Sequence, residues 1–239
     1  MQNLSLSLIQ ANLYWEDRET NLRMFSQRIG AIDAPTDLIL LPEMFSTGFS
    51  MDPRKVAEPM EGPTMEWMRR TAASRNCVVT GSLAIREANR FYNRLIWMDP
   101  DGSYHRYDKK HLFGFAGENE QYTPGKDQLV VSLKGWKLMP LICYDLRFPG
   151  WSRNHHDPET GFGYDVLLYV ANWPESRSHA WRVLLMARAI ENLSYVVGLN
   201  RVGEDGNGVP HCGDSAVIDP GGENLSGIMP QKQQTETIV

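Results

Sequence analysis

Apolar and polar side chains alternate along the early part of the chain in two different periods. Residues 4–8 alternate with period two, which predicts a β-strand with one buried face. Residues 17–32 place apolar side chains three or four positions apart, which predicts an amphipathic helix. Residues 37–41 form a short, almost wholly apolar run, as in a strand covered on both faces. The chain is therefore expected to begin with a strand, a helix and a second strand.

The middle of the chain is expected to contain a helix followed by hairpins. Pro63 stands where a first helical turn tolerates proline, and apolar side chains follow it at helical spacing. Residues 77–83 and 94–97 predict two paired strands. Residues 99–102, Asp-Pro-Asp-Gly, predict a turn that leads into a strand at residues 104–107.

The last part of the chain again combines strands with a helix. Strands are predicted at residues 136–143, 165–170, 195–199 and 216–218. A helix is predicted at residues 176–194, and the chain ends at residues 236–239 within a further expected strand. No repeat, low-complexity tract or linker interrupts this order. We therefore predict a single α/β domain over residues 1–239, with sheets packed face to face and helices outside.

The charge balance argues against several classes of partner. The 239 residues carry a formal net charge of −5, and the longest basic cluster is Lys109-Lys110. A nucleic-acid partner or an anionic membrane surface is therefore not expected. No apolar run approaches the roughly 18 residues of a membrane span. The amino terminus has no basic segment followed by an apolar one, so no secretory leader is expected either.

The cysteines indicate a reducing compartment. Cys77, Cys143 and Cys212 are odd in number and widely separated, and no Cys-x-x-Cys pair occurs. Neither a disulfide framework nor a zinc site is therefore expected. These features predict a cytoplasmic protein.

Three other conspicuous groups of residues have structural explanations. Residues 155–157, His-His-Asp, are predicted to form a polar loop, because adjacent side chains diverge and chelate a metal poorly. Residues 211–212, His-Cys, are also predicted to be loop. A stripe on the late helix is predicted to belong to the core and its rim: Trp181, Leu184, Leu185 and Arg188.

Reactive side chains end or closely follow four of the predicted strands: Glu43, Lys109, Cys143 and Asn172. Because ligands bind at the carboxyl ends of strands in open α/β folds, Glu43 and Cys143 are expected to face one crevice. Each residue alone has an ordinary explanation, since a cysteine packs as a small hydrophobe and a glutamate suits a helix N-terminus. A cysteine, a glutamate and a lysine together fit one mechanism, which is nucleophilic attack on an amide carbonyl.

Three sequence blocks resemble the signature blocks of the nitrilase, or carbon–nitrogen hydrolase, superfamily. They are Leu-Pro-Glu-Met-Phe at residues 41–45, Asp-Lys-Lys-His-Leu-Phe at residues 108–113 and Ile-Cys-Tyr-Asp-Leu-Arg-Phe at residues 142–148. Their order and spacing are similar too, and the likeness covers nearly the whole chain. The resemblance implies a four-layer αββα sandwich that pairs into an αββα–αββα homodimer.

Carried over position by position, the resemblance implies a catalytic triad of Glu43, Lys109 and Cys143. The family lysine lies two residues before a histidine, which selects Lys109 over Lys110. Glu118 matches the second glutamate that positions the substrate in this family. The resemblance implies no metal and no cofactor.

The expected chemistry follows from the three side chains. We expect Cys143 to be exposed and biased towards the thiolate by Lys109, with Glu43 as the base that takes its proton. Attack on an amide would create an oxyanion, which the Lys109 ammonium and the backbone N–H of Tyr144 would stabilise.

Residues 143–154, 171–177 and 187–207 are most similar to the bacterial omega-amidase branch of that superfamily. Those enzymes hydrolyse the terminal amide of 2-oxo acids such as 2-oxoglutaramate and 2-oxosuccinamate. Such a substrate carries a carboxylate, so a positively charged side chain is expected in the pocket. The pocket as a whole is expected to be cationic and apolar. Arg177, just past a strand end and near Trp173, is the first candidate. Arg147 and Arg201 are alternatives that equally suit structural ion pairs.

Other functions stay open. The chain could be a different carbon–nitrogen hydrolase, such as an aliphatic amidase, a carbamoyl amino acid hydrolase or a nitrilase. It could also be a catalytically silent binding scaffold of the same fold, although the intact Glu43, Lys109 and Cys143 count against that. Members of the family usually run on by a short tail, whereas this sequence stops at Val239, so its tail is expected to be short or missing.

Overall fold

The computed structural model describes residues 2–159 and 161–239. Within these residues the α-helices are α1 (Arg18–Gly30), α2 (Pro53–Val56), α3 (Pro63–Arg75), α4 (Glu118–Gln121) and α5 (Ser178–Asn192). The strands are β1 (Leu6–Gln10), β2 (Leu38–Leu40), β3 (Val78–Glu87), β4 (Arg90–Met98), β5 (Tyr104–Asp108), β6 (Val131–Leu133), β7 (Trp136–Ile142), β8 (His156–Asp157), β9 (Gly161–Phe162), β10 (Val166–Ala171), β11 (Tyr195–Asn200), β12 (Val202–Glu204), β13 (Pro210–Cys212), β14 (Ala216–Ile218) and β15 (Gln234–Ile238). Short 3-10 helices lie at Gly114–Ala116, Cys143–Arg147 and Glu175–Arg177.

Local sequence signals define the ends of the first long helices. The Asp17 carboxylate accepts a hydrogen bond from the Thr20 amide at 3.0 Å and caps α1. Pro63 occupies the first turn of α3, where its missing N–H costs nothing. The same helix ends at Asn76, whose φ of 48° is left-handed. The predicted helices at residues 17–32 and from Pro63 are therefore present.

The six-stranded sheet has the order β15-β1-β2-β3-β4-β5. Strands β1, β2 and β3 are parallel, whereas β4 and β5 continue the sheet as antiparallel hairpins. Strand β15, near the end of the chain, pairs antiparallel with β1.

The five-stranded sheet has the order β14-β11-β10-β7-β6. Its central strands β7, β10 and β11 are parallel, and β14 and β6 flank them antiparallel. Both sheets therefore have parallel strands whose carboxyl ends can support a common site.

The two sheets pack face to face. One cluster of buried residues joins them, and it includes Leu8 and Leu40 of the first sheet and Leu138, Leu168 and Val197 of the second. Helices α1 and α3 cover the outer face of the first sheet. Helix α5 covers the outer face of the second. The predicted four-layer αββα sandwich is confirmed.

The β3–β4 hairpin extends further than the sequence predicted. It is closed by Ala88 and Asn89, whose φ angles of 47° and 59° are both positive, as in a tight two-residue hairpin turn. Because Ala-Asn is not a strong turn signal, the sequence placed the second strand at residue 94 rather than at Arg90.

Two predicted loops contain short strands instead. His156–Asp157 pairs with Gly161–Phe162, and Pro210–Cys212 pairs with Val202–Glu204. Strands this short carry no usable periodicity. The predicted stripe on α5 is correct, since Trp181, Leu185 and Arg188 are buried and Leu184 packs against the same cluster. In the part of the chain that the structure describes, no helix is long and apolar enough to cross a membrane.

Candidate active site

Reactive side chains from both sheets meet at one edge of the sandwich. Glu43 follows β2, Lys109 directly follows β5, and Cys143 directly follows β7. Glu43 and Lys109 are fully excluded from solvent, and Cys143 is 7% exposed. The structure thus brings together the three residues that the sequence singled out.

Cys143 lies on a sharp turn between β7 and a 3-10 helix. Its φ of 44° is left-handed, which is unfavourable for a residue with a side chain. The Asp145 carboxylate holds this turn by accepting hydrogen bonds from the Ile142 amide at 3.1 Å and the His111 amide at 2.9 Å. The Tyr107 hydroxyl donates a further bond to Asp145 at 2.7 Å. This network fixes the strained backbone that presents the thiol.

Lys109 is paired with two carboxylates. Its Nζ lies 2.9 Å from Oε1 of Glu43, and 3.1 and 2.8 Å from Oε1 and Oε2 of Glu118. Burial alone would lower the pKa of Lys109, but the charges of Glu118 and Glu43 outweigh it and raise the pKa. Lys109 is therefore a permanent ammonium in this site.

Glu43 is held between the two sheets. Its Oε1 accepts hydrogen bonds from Lys109 and from Nδ2 of Asn93, the latter at 2.8 Å. Its Oε2 accepts one from the backbone amide of Asn172 at 2.8 Å. The Asn172 side chain also donates to the Glu43 carbonyl at 2.5 Å. Of the two carboxylate oxygens, Oε2 has more free capacity to accept a proton.

Glu118 joins the same cluster from the start of α4. It is fully buried and accepts a hydrogen bond from the Phe113 amide at 2.6 Å in addition to those from Lys109. Burial raises its pKa, and the neighbouring Glu43 adds to the increase while Lys109 opposes it. The sequence assigned Glu118 to this site, and the structure places it there.

The expectation that Cys143 is exposed and thiolate-biased is wrong. Burial raises the pKa of its thiol, the Glu43 charge raises it further, and Lys109 only partly offsets both. A hydrogen bond to Glu43 also favours the protonated thiol. The resting group is therefore S–H.

A cleft of about 810 Å³ opens over Cys143. Tyr144, Trp173, Arg147 and Arg177 line it together with the cysteine. The Arg147 guanidinium lies 5.1 Å from the centre of the Trp173 ring, so an aromatic face supports this cation. The amide of Tyr144 is in the first turn of the 3-10 helix, where backbone N–H groups have no partner inside the helix.

The three candidate arginines differ in their surroundings. Arg177 is half-buried at the cleft, with its guanidinium 4.9 Å from the centre of the Phe113 ring. Arg201 is fully buried and donates to Asn12 at 2.8 Å and to the Glu204 carbonyl at 3.0 Å. Arg201 is therefore a structural residue, and Arg177 and Arg147 face the cleft.

The cleft wall also contains acidic side chains that sequence reasoning missed: Glu16, Asp52 and Asp205. Glu16 accepts a hydrogen bond from Ser50 at 2.7 Å and pairs with Lys55. Asp205 accepts bonds from two backbone amides of its own turn, at 2.8 and 3.0 Å. The lining is therefore not only cationic and apolar, as the sequence predicted. Two of these acids, Glu16 and Asp205, already have hydrogen-bond partners within the protein.

His211 is a further cleft residue that the sequence did not identify. It is buried in β13, with Nδ1 2.9 Å from the carbonyl oxygen of Val209. Burial, reinforced by the charge of Arg201, lowers its pKa to about 4, so the ring is neutral at physiological pH. Across residues 2–159 and 161–239, no group of three or more His, Cys, Asp or Glu side chains is placed to hold a metal ion.

The geometry of the site agrees with comparisons to known proteins. The profile of the family described as Carbon-nitrogen hydrolase matches residues 5–239. The chain belongs to this family, and it is an amidohydrolase.

Its relatives define the branch more closely. The omega-amidase YafV of Escherichia coli K12 is 45% identical over 226 residues, which are 95% of this chain and 85% of that protein. A 2-oxoglutaramate amidase of Bacillus subtilis is 32% identical over 225 residues, covering 93% of this chain and 85% of that protein.

A solved structure shows the same fold. XC1258 from Xanthomonas campestris, a CN-hydrolase superfamily protein with an arsenic adduct in its active site, matches with a TM-score of 0.97 and 43% identity. The match covers 100% of this chain and 90% of that one.

Proposed function

We propose that this protein is an omega-amidase, which releases ammonia from the terminal amide of 2-oxo acids such as 2-oxoglutaramate and 2-oxosuccinamate. The observation that carries the proposal is the buried cluster of Glu43, Lys109 and Glu118 beside Cys143, at a cleft that also presents two arginines. The omega-amidase and 2-oxoglutaramate amidase relatives support the choice of substrate class.

The first half of the reaction forms a thioester. Glu43 removes the proton from Cys143 as the sulfur attacks the amide carbonyl and the C–S bond forms. Negative charge develops on the carbonyl oxygen, where the Lys109 ammonium and the Tyr144 amide stabilise it. Glu43 then gives its proton to the nitrogen, the C–N bond breaks, and ammonia leaves.

The second half of the reaction releases the acid. Glu43, again ionised, takes a proton from water, and the hydroxyl oxygen attacks the thioester carbonyl. The C–S bond breaks, and Cys143 recovers its proton from Glu43. One water is consumed for each ammonia and each carboxylic acid formed.

The substrate carboxylate would bind at the arginine side of the cleft. Arg177 rests against Phe113, and Arg147 rests against Trp173, so both guanidinium groups are held beside aromatic rings near the nucleophile. A guanidinium can bind a carboxylate through two parallel hydrogen bonds. We assign this role to Arg177, because it is the less exposed of the two.

The test is ammonia release from 2-oxoglutaramate, glutamine, a simple aliphatic amide and a nitrile at matched concentrations. Glutamine adds an ammonium group near the arginines, so a preference for 2-oxoglutaramate of about 10²-fold is expected. Equal rates on all amides would contradict the omega-amidase proposal but leave an amidase. Preference for the nitrile would indicate nitrilase activity, and release from none of the four would favour a binding scaffold.

Arg177→Ala should raise KM for 2-oxoglutaramate about tenfold or more, since a charged hydrogen bond is lost. It should barely change the kinetics of the uncharged aliphatic amide. Arg147→Ala is the matched comparison, because it removes the other guanidinium that faces the cleft. If Arg147→Ala alone weakens 2-oxoglutaramate binding, the carboxylate binds there instead.

We also propose a homodimer that forms in the cytoplasm. Helix α5 exposes apolar side chains at helical spacing, namely Val183, Met186 and Ile190, and Leu193 directly after the helix is exposed too. The three cysteines are free thiols, which suits a reducing compartment. Sedimentation of the wild type and of Met186→Glu should show a dimer that dissociates in the variant. Fractionation of the host cells tests the location.

A further inference from the structure

Asn93 connects the two buried carboxylates of the site. It lies within β4 and is fully buried. Its Nδ2 donates to Oε1 of Glu43 at 2.8 Å and to Oε1 of Glu118 at 3.0 Å. A side-chain NH₂ group has two hydrogens, so each carboxylate receives one.

The orientation of the Asn93 amide is fixed by Ser82 on the neighbouring strand. The Ser82 hydroxyl oxygen accepts a hydrogen bond from the Met44 amide at 2.9 Å. Its own proton is therefore directed to Oδ1 of Asn93, at 2.8 Å. Because Oδ1 can only accept, the NH₂ end must face Glu43 and Glu118.

The register of the β4–β5 hairpin places Asn93 beside the lysine. Arg94 is opposite Asp108, and these two form an ion pair at 2.6 Å. The Lys109 amide donates to the Asn93 carbonyl at 2.9 Å. Neighbouring residues of a strand point to opposite faces. Asn93 and Lys109 therefore lie next to each other, on the face opposite to that of Arg94 and Asp108.

The cluster has an unbalanced charge that Asn93 can offset. One ammonium, on Lys109, faces two carboxylates, and no side chain in the cluster is exposed. Cys143 and Tyr122 are the other titratable groups that face the pair. Burial raises the pKa of both, so both are neutral and add no further negative charge, and neither has a cationic form that could balance the carboxylates. Without another donor, one carboxylate would tend to bind a proton.

We propose that Asn93 is a positioning residue which keeps Glu43 and Glu118 ionised together by donating one hydrogen bond to each. This inference rests on the proposed role of Glu43 as general base. Hydrogen bonds to the charged form of an acid favour that form. The bond to Oε1 also leaves Oε2 of Glu43 to take the Cys143 proton. Asn93 thus helps to hold Glu43 in the charged form that can act as the base.

The test is the pH profile of kcat/KM for an amide substrate in Asn93→Ala, Asn93→Asp and Ser82→Ala. The acid limb should move to higher pH by about one unit in Asn93→Ala, because a donor to the charged form is lost. It should move further in Asn93→Asp, which has nearly the same shape but adds a third carboxyl group. Ser82→Ala should give a smaller shift, since the side-chain amide of Asn93 is then no longer held in one orientation.

Asn21→Ala is the matched control. Asn21 is also fully buried, but it bonds only to the backbone of Tyr14 and Ser46, away from the carboxylates. It should lower stability without moving the acid limb. A limb that stays in place in both Asn93 variants, or that moves equally in Asn21→Ala, overturns the proposal.

A second measurement needs no turnover and separates this inference from the proposed function. Carbon-13 NMR of labelled glutamate side chains, assigned with Glu43→Gln and Glu118→Gln, follows the two carboxyl groups directly. Their first protonation should occur at higher pH in Asn93→Asp than in the wild type. A wild type that releases no ammonia would reject the proposed function, whereas an unchanged NMR titration would reject the role of Asn93.

Discussion

The Nζ atom of Lys109 lies 2.9 Å from Oε1 of Glu43, and both side chains are fully buried. The proposed base, Glu43, is therefore already paired with a cation before substrate arrives. Because Glu118 faces the same lysine at 2.8 Å, the cluster holds two carboxylates against one ammonium. That excess negative charge explains why a lysine close to Cys143 does not suffice to make a thiolate.

Glu43→Gln should abolish turnover while making Cys143 more reactive towards iodoacetamide at neutral pH. The substitution removes the base, and it also removes the charge and the hydrogen bond that raise the pKa of the thiol. Lys109 would then favour the thiolate, which is the nucleophile in alkylation. Mass spectrometry of timed labelling reactions measures the rate at each cysteine.

Glu118→Gln is the comparison for that experiment. It removes the same charge, but its effect on the Cys143 thiol is the weaker of the two. Labelling should therefore be fastest in Glu43→Gln, intermediate in Glu118→Gln and slowest in the wild type. Slower labelling in Glu43→Gln than in the wild type would mean that Glu43 activates the resting thiol.

Cys143→Ala should abolish ammonia release and leave the fold intact. The nucleophile is lost, but a small side chain of similar shape remains, so the free energy of unfolding should fall by only about 1 kcal/mol. Cys212→Ala is the control, because that thiol is also buried and its pKa is raised to about 11. Substantial activity in Cys143→Ala would contradict the assignment of the nucleophile.

Substitutions of Lys109 and of Lys110 should have clearly different effects on turnover and stability. Lys109→Met leaves two buried carboxylates without their cation, so both turnover and stability should fall, the latter by about 3 kcal/mol. Lys110 is half-buried, with Nζ 5.2 Å from the centre of the Trp151 ring, and Lys110→Met should have little effect on either. Kinetics and urea unfolding measure the two quantities. The reverse pattern would show that the lysine has been assigned one residue out of register.

Glu118→Gln should reduce turnover more than stability. The amide keeps an acceptor for the Phe113 amide, which now lies 2.6 Å from Oε2, but it removes the charge that holds Lys109. We expect kcat to fall about 10²-fold, within the range for a misplaced acid–base group. Near-normal kinetics would reduce Glu118 to a structural residue of its loop.

Much of this site could be anticipated because its residues directly follow recognisable strands. Glu43 and Cys143 each end an apolar run, and a parallel sheet brings such ends together. Asn93 could not be found in the same way. The hydrophobic pattern predicts that the strand begins at Arg94, one residue after Asn93. The face that Asn93 occupies depends on the register of the hairpin, which is set by the turn at Ala88 and Asn89.

The protonation state of Cys143 also could not be predicted from the sequence. That state depends on a balance between burial, two carboxylates and one ammonium, and a change in any distance would alter that balance. The cleft position of His211 depends on a three-residue strand that begins with Pro210, a residue that usually indicates a loop. Such features are determined by tertiary packing rather than by local pattern.

Glu43 and Asn172 come from opposite sheets, and two hydrogen bonds join them. The proposed base, Glu43, belongs to the first sheet and the proposed nucleophile, Cys143, to the second, so the two groups are close together only while the sheets are docked. Ammonia release is therefore a direct reporter of that docking. A chain that has folded one sheet alone holds a base without a nucleophile, or a nucleophile without a base, and has no residual turnover.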